Sequence, residues 1–198
     1  MFQKESVAKG IRVLSIPPVM ITALILILAY YKEGVFRNHS EMVITILLLG
    51  FVPVLAYGLQ KILPGFKEQG REGQRKLAFL FNLISDSVAF LWALLIQAGK
   101  DLLLIYSTYF LSVVILTICN KGFHYRASGH ACSFTGPFVL LVYFLGWKVV
   151  LPCLVIAGLI VWSSLYLKRH TIKELVGGIV VCLLSFALSL VMIYCRIL

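Results

Sequence analysis

Apolar residues in this chain gather into long runs, and polar residues collect in the gaps between them. Seven runs follow one another, at residues 14–31, 42–60, 77–97, 102–119, 131–147, 149–167 and 175–194. A helix that crosses a bilayer needs about 20 mostly apolar residues, or about 17 at the short end. The pattern therefore predicts an all-α protein, a polytopic transmembrane bundle of six to seven spanning helices. Most gaps are short and leave no room for a separate soluble domain, so residues 1–198 read as a single domain. The first run contains Pro17-Pro18 and lacks a small-residue cleavage site, which predicts a retained segment rather than a signal peptide.

Composition agrees with the pattern. The chain is 61% hydrophobic and 13% charged, where soluble domains lie near half apolar and about a quarter charged. The formal net charge of +10 would suggest nucleic acid in a soluble protein. Here the charges sit at the ends of apolar runs, so anionic lipid headgroups or phosphate substrates are the expected partners, and nucleic acid is not. All five cysteines fall within or at the ends of apolar runs without metal-ligand spacing, and are expected to be buried small hydrophobes.

If the seven runs cross back and forth, helix parity brings distant segments to one face. That face carries the N-terminal tail and the segments 61–76, 121–130 and 168–174. Of the 18 Lys and Arg, only Lys32, Arg37, Lys100, Lys148 and Arg196 fall on the opposite face. The positive-inside rule then orients the richer face to the cytoplasm. A phosphate site would itself be basic, however, and setting aside its candidate residues removes most of that excess.

Two histidine segments on this face carry candidate chemistry. The first is Arg126-Ala127-Ser128-Gly129-His130, directly before an apolar run. The first N–H groups of a helix lack internal partners and the helix dipole is positive there, which favours a phosphate oxygen. Gly129 permits close backbone approach, Ser128 offers a hydroxyl, and Arg126 offers a forked cation. His130 is placed to give or take a proton. A helix N-cap with a loop histidine beside it is the plainer reading of the same residues. The second segment is Lys168-Arg169-His170-Thr171-Ile172-Lys173-Glu174. A helical turn stacks His170 and Glu174 on one face, and a carboxylate on one ring nitrogen makes the other a better nucleophile. A third basic segment, 67–76, offers Arg71 and Arg75 four residues apart. His39 falls on the opposite face, and His124 receives no role.

These residues resemble the signatures of the type 2 phosphatidic acid phosphatase superfamily of integral membrane lipid phosphatases. The family's second signature, Pro-Ser-Gly-His, is matched by Ala127-Ser128-Gly129-His130. Its third is Ser-Arg, five residues, His, three residues, Asp; Ser163-Ser164, five residues, His170, three residues and Glu174 follow that spacing. Ser164 stands in place of the family's phosphate-binding Arg, and Glu174 in place of Asp. The first signature is absent in its usual form, with Arg71 and Arg75 as its counterparts by topology. The resemblance implies hydrolysis of a lipid phosphate or pyrophosphate without metal or other cofactor. His170 would be the nucleophile, His130 the proton donor and Glu174 the orienting group. Arg126, Ser128, Gly129, Arg71 and Arg75 would bind the phosphate. Two alternatives stand beside it: a lipid phosphotransferase using the same chemistry, and a degraded site in a lipid-binding membrane protein.

One polar residue lies inside an apolar run. Asp86 is about ten residues into the third run, or about 15 Å along a helix, near a bilayer midplane. Asn82, Ser85 and Ser87 nearby favour a structural hydrogen-bond cluster around it, the alternative being a place in the lining of a substrate cavity.

Overall fold

The computed structural model describes residues 2–195; Arg196, assigned above to the opposite face, lies outside them. Every regular element among the described residues is helical. We number the helices α1 (Phe2–Leu14), α2 (Pro17–Tyr31), α3 (His39–Leu59), α4 (Gly70–Leu95), α5 (Lys100–Gly122), α6 (Gly129–Leu145), α7 (Trp147–Tyr166) and α8 (Ile172–Tyr194). Helices α3, α4, α5, α7 and α8 are long and apolar enough to cross a membrane, and the bent pair α1–α2 makes a sixth if taken as one span.

This differs from the expected six to seven at two places. Helix α6 has 17 residues, about 26 Å of rise against a hydrocarbon core of about 30 Å. The first run also does not begin at Leu14. Leu14 ends α1, and a fresh helix starts at Pro17, where a proline that lacks an N–H is tolerated. The two helices meet at 60°, so the expected N-terminal tail is an amphipathic helix. It packs across α7, tethered by Ser163, whose hydroxyl donates to the carbonyl of Ala8 at 2.7 Å.

Helix α5 is the centre of the bundle, with 61% of its apolar window buried against 22–39% for the other four long helices. It packs on α4 and α8, and α8 packs in turn on α6. Tyr106, Leu102 and Ile105 of α5 join Leu24, Ile25 and Leu28 of α2 in the main core. Large apolar side chains also point outward, among them Leu151, Leu154 and Val155 on α7 and Leu183, Leu184 and Leu188 on α8. Helices apolar on both the inward and outward faces are what a lipid-facing surface requires.

The cysteines divide. Cys132, Cys153 and Cys182 are buried and Cys119 is half-buried, as expected, but Cys195 is exposed because it follows the last turn of α8. The expected cluster around Asp86 does not form. Asp86 is buried, yet Asn82, Ser85 and Ser87 bond to the main-chain carbonyls of Ala78, Leu48 and Leu83 instead. Asn82 and Ser87 find the preceding turn's carbonyls within reach, and Ser85 bonds across to the main chain of α3.

Candidate functional site

Three segments far apart in sequence meet at one end of the bundle, and each is shaped by local backbone chemistry. Helix α7 ends in a Schellman motif: the N–H of Lys168 bonds to Leu165 and that of Arg169 to Ser164. The left-handed position this requires is taken by Lys168, at φ 51°, where glycine is usual. The chain then turns through His170 into α8. Thr171 caps α8 by accepting the N–H of Glu174 at 3.3 Å, and Glu174 reaches back to accept the N–H of Thr171 at 3.0 Å. This is a capping box.

The same Glu174 carboxylate serves two more partners. Its Oε2 lies 3.3 Å from Nδ1 of His170, and its Oε1 lies 3.1 Å from Nε of Arg126. A carboxylate at Nδ1 holds the proton there and leaves Nε2 as the basic nitrogen. Arg126 spends its Nε on this pair, which leaves the two terminal nitrogens of its fork for other acceptors.

The Arg126–His130 segment is laid against α8 by contacts with main chain. The N–H of Ser128 bonds to the carbonyl of Glu174 at 2.9 Å, and the Tyr125 hydroxyl donates to the carbonyl of Lys173 at 2.9 Å. Two consecutive glycines make the approach possible. A Cβ on Gly178 would lie 2.2 Å from the Ser128 carbonyl oxygen, and one on Gly177 would lie 2.6 Å from the Tyr125 ring. Sequence reasoning passed over both, although a Gly-Gly pair one turn beyond Glu174 is a signal for close helix contact.

Ser128 occupies the N-cap of α6. Its buried hydroxyl oxygen accepts the N–H of Ala131 at 3.1 Å, so the plainer reading of this residue holds, with its hydroxyl hydrogen still free to donate. Gly129 is exposed at the first position of the helix. His130 follows, its ring 6.4 Å from that of His170 and nearly parallel to it, at 9°. An in-line phosphoryl transfer needs roughly 6–8 Å between the attacking nitrogen and the one serving the leaving oxygen. Each of the two rings can offer one nitrogen to such a transfer. Nε2 of His130 also lies 3.4 Å from the hydroxyl of Ser15, at the break between α1 and α2.

Arg71 and Arg75 lie in the first two turns of α4 rather than in a loop. The preceding turn is folded under them: Gln60 donates to the carbonyls of Phe66 and Gly70, and Gly73 sits where a Cβ would collide with Phe66. Arg75 pairs loosely with Glu72 at 3.7 Å. Arg71 is close enough to Arg169, Arg75 and Arg126 to be repelled by all three. A gathering of guanidinium groups in which Arg126 pairs with Glu174 and Arg75 only loosely with Glu72 suits an anion.

Arg12 of α1 belongs to the same cluster, and sequence reasoning missed it. It is repelled by Arg169 and Arg71 and acts in turn on both histidines. For His170, burial is the first cause holding its pKa below the ordinary imidazole value; Glu174 opposes the shift and Arg12 and Arg75 add to it. Among the described residues no three His, Cys, Asp or Glu side chains converge as a metal site. His39 starts α3 at the far end, and His124 is exposed at φ 51°.

No family model, curated protein or solved structure matches this chain.

Proposed function

We propose that this chain is an integral membrane lipid phosphate phosphatase that works through a phosphohistidine. The observation that carries the reading is the pair of near-parallel imidazoles, 6.4 Å apart, with Glu174 behind one of them and several arginines around both. The match of Ala127–His130 and Ser163–Glu174 to the two family signatures supports it. The outward apolar surface and the five or six helices able to cross a membrane support a lipid as the molecule that carries the phosphate. A small basic excess remains on the histidine side once its candidate phosphate residues are set aside, and it would orient that side to the cytoplasm.

In this reading the lone pair on Nε2 of His170 attacks phosphorus, and an N–P bond forms as the P–O bond to the lipid breaks. Burial, with Arg12 and His170 nearby, pushes the His130 pKa down to about 4, so His130 takes up a proton as the phosphate dianion binds and then gives it to the departing oxygen. Water then attacks phosphorus, His130 takes a proton from it, the N–P bond breaks and inorganic phosphate leaves. Glu174 holds the His170 tautomer, and Arg126, Arg71, Arg75 and the Gly129 amide meet the charge on the phosphoryl oxygens.

The test is phosphate release by the purified protein from phosphatidic acid, phosphatidylglycerol phosphate and polyprenyl phosphates and pyrophosphates, in the presence of EDTA. Release from at least one of them, lost in His170→Ala, is expected. Release that survives in His170→Ala contradicts the reading.

A further inference from the structure

Resting on the phosphatase reading, we propose that Arg12 of the N-terminal helix supplies the phosphate-binding guanidinium missing from position 164. Nη1 of Arg12 is buried and has no hydrogen-bond partner, and Oγ of Ser164 is buried in the same condition. Buried guanidinium nitrogens are almost always paired, because an unmet charged donor loses its hydration for nothing. The charges that act most strongly on Arg12 are the guanidinium groups of Arg169 and Arg71, both repulsive. An unmet donor among like charges is satisfied by an anion.

The fold places that anion at the histidines. The Ser163–Ala8 hydrogen bond fixes α1 on α7, and Arg12 lies one turn beyond Ala8 on the same helical face. Ser15, three residues on, donates to the carbonyl of Arg12 at 3.2 Å and touches Nε2 of His130 at 3.4 Å. Ser15 lies at the 60° break between α1 and α2, which places that break beside His130. A phosphoryl group bridging Arg12 and His170 would find a two-oxygen fork on the side where position 164 carries only a hydroxyl. The bound dianion would also cancel the repulsion that Arg12 exerts on a protonated His130.

The experiment measures inhibition of the full-length protein by vanadate and by inorganic phosphate, alongside KM for the lipid substrate. Arg12→Gln is expected to weaken both inorganic anions roughly 10- to 100-fold, with Arg12→Lys in between. Free guanidinium ion is expected to restore part of the turnover of Arg12→Ala, which a purely structural arginine would not allow. Vanadate binding as tight in Arg12→Gln as in the wild type overturns the inference while the phosphatase reading stands. So does a change confined to lipid KM, which would put Arg12 at the lipid rather than the phosphoryl group. A wild-type protein that neither binds vanadate nor releases phosphate overturns the phosphatase reading itself. If Arg12→Gln does not accumulate, the wild type carries the test through phenylglyoxal modification of Arg12, read by peptide mass spectrometry. Vanadate is expected to protect Arg12, and equal modification with and without it overturns the inference.

Discussion

Oε2 of Glu174 faces Nδ1 of His170 at 3.3 Å and accepts the N–H of Thr171 at 3.0 Å, so one oxygen both caps a helix and orients an imidazole. His170 is thereby tied to the first turn of α8. The longer carboxylate has a reason as well: a glutamate at the third helical position reaches back to the cap residue, completing the box.

Glu174→Gln separates the two duties. Glutamine still closes a capping box, so thermal unfolding in detergent is expected to shift by less than about 1 kcal/mol equivalent. The charge behind His170 is lost, and phosphate release is expected to fall roughly 10²- to 10⁴-fold. Loss of stability in step with activity would show that the cap is the residue's whole role.

The titration of His170 follows from its burial. Its pKa is held below the ordinary imidazole value of about 6.5, so it is neutral over more of the pH range than a free histidine. The unfolded chain binds the proton first as pH falls. His170 therefore stabilises the fold above that ordinary value, and the contribution is lost as pH drops through the depressed one. NMR of histidine-labelled protein is expected to place its midpoint below about 6.5, and lower still in Glu174→Gln. A midpoint above the ordinary value would contradict the burial described for the site.

Gly178 and Gly129 should respond differently to alanine. A Cβ at Gly178 would lie 2.2 Å from the Ser128 carbonyl oxygen, whereas one at Gly129 would meet Leu116 at an ordinary 3.5 Å. Gly178→Ala is expected to destabilise by roughly 1–3 kcal/mol and to shift His130 away from His170, lowering phosphate release. Gly129→Ala is expected to leave the melting temperature nearly unchanged. Equal melting temperatures for both variants would count against the close packing of α6 on α8.

Lys168 holds the left-handed position of the Schellman motif at φ 51° without being glycine. Lys168→Gly relieves that backbone conformation and is expected to raise stability by up to about 1 kcal/mol, read from thermal unfolding. A destabilised variant would mean that the Lys168 side chain contributes more than its backbone conformation costs.

What was legible in the sequence follows the range of the physics involved. The helices showed in the apolar runs because lipid and core both select for them locally. His170 and Glu174 showed because four residues is one helical turn. The grouping of Arg126, His130 and Arg71 with them followed from counting crossings. Arg12 fell on the right face but received no role, because the residues before Leu14 read as a tail and its place depends on a bend after Leu14 and on a contact between Ser163 and Ala8. The role of Gly177 and Gly178 was hidden for a related reason, since a glycine's value lies in what approaches it. Asp86 misled because nearness in sequence suggested partners that main-chain carbonyls took first.

The proposed phosphatase passes through a covalent bond between phosphorus and Nε2 of His170, which can be trapped. The most direct measurement is to incubate the protein with phosphate-labelled lipid substrate, quench in denaturant, and locate the label by peptide mass spectrometry. An acid-labile, base-stable label is expected on His170, absent from His170→Ala and depleted when the reaction is chased with unlabelled substrate. Phosphate release by a protein that never carries label on His170 would contradict the proposal.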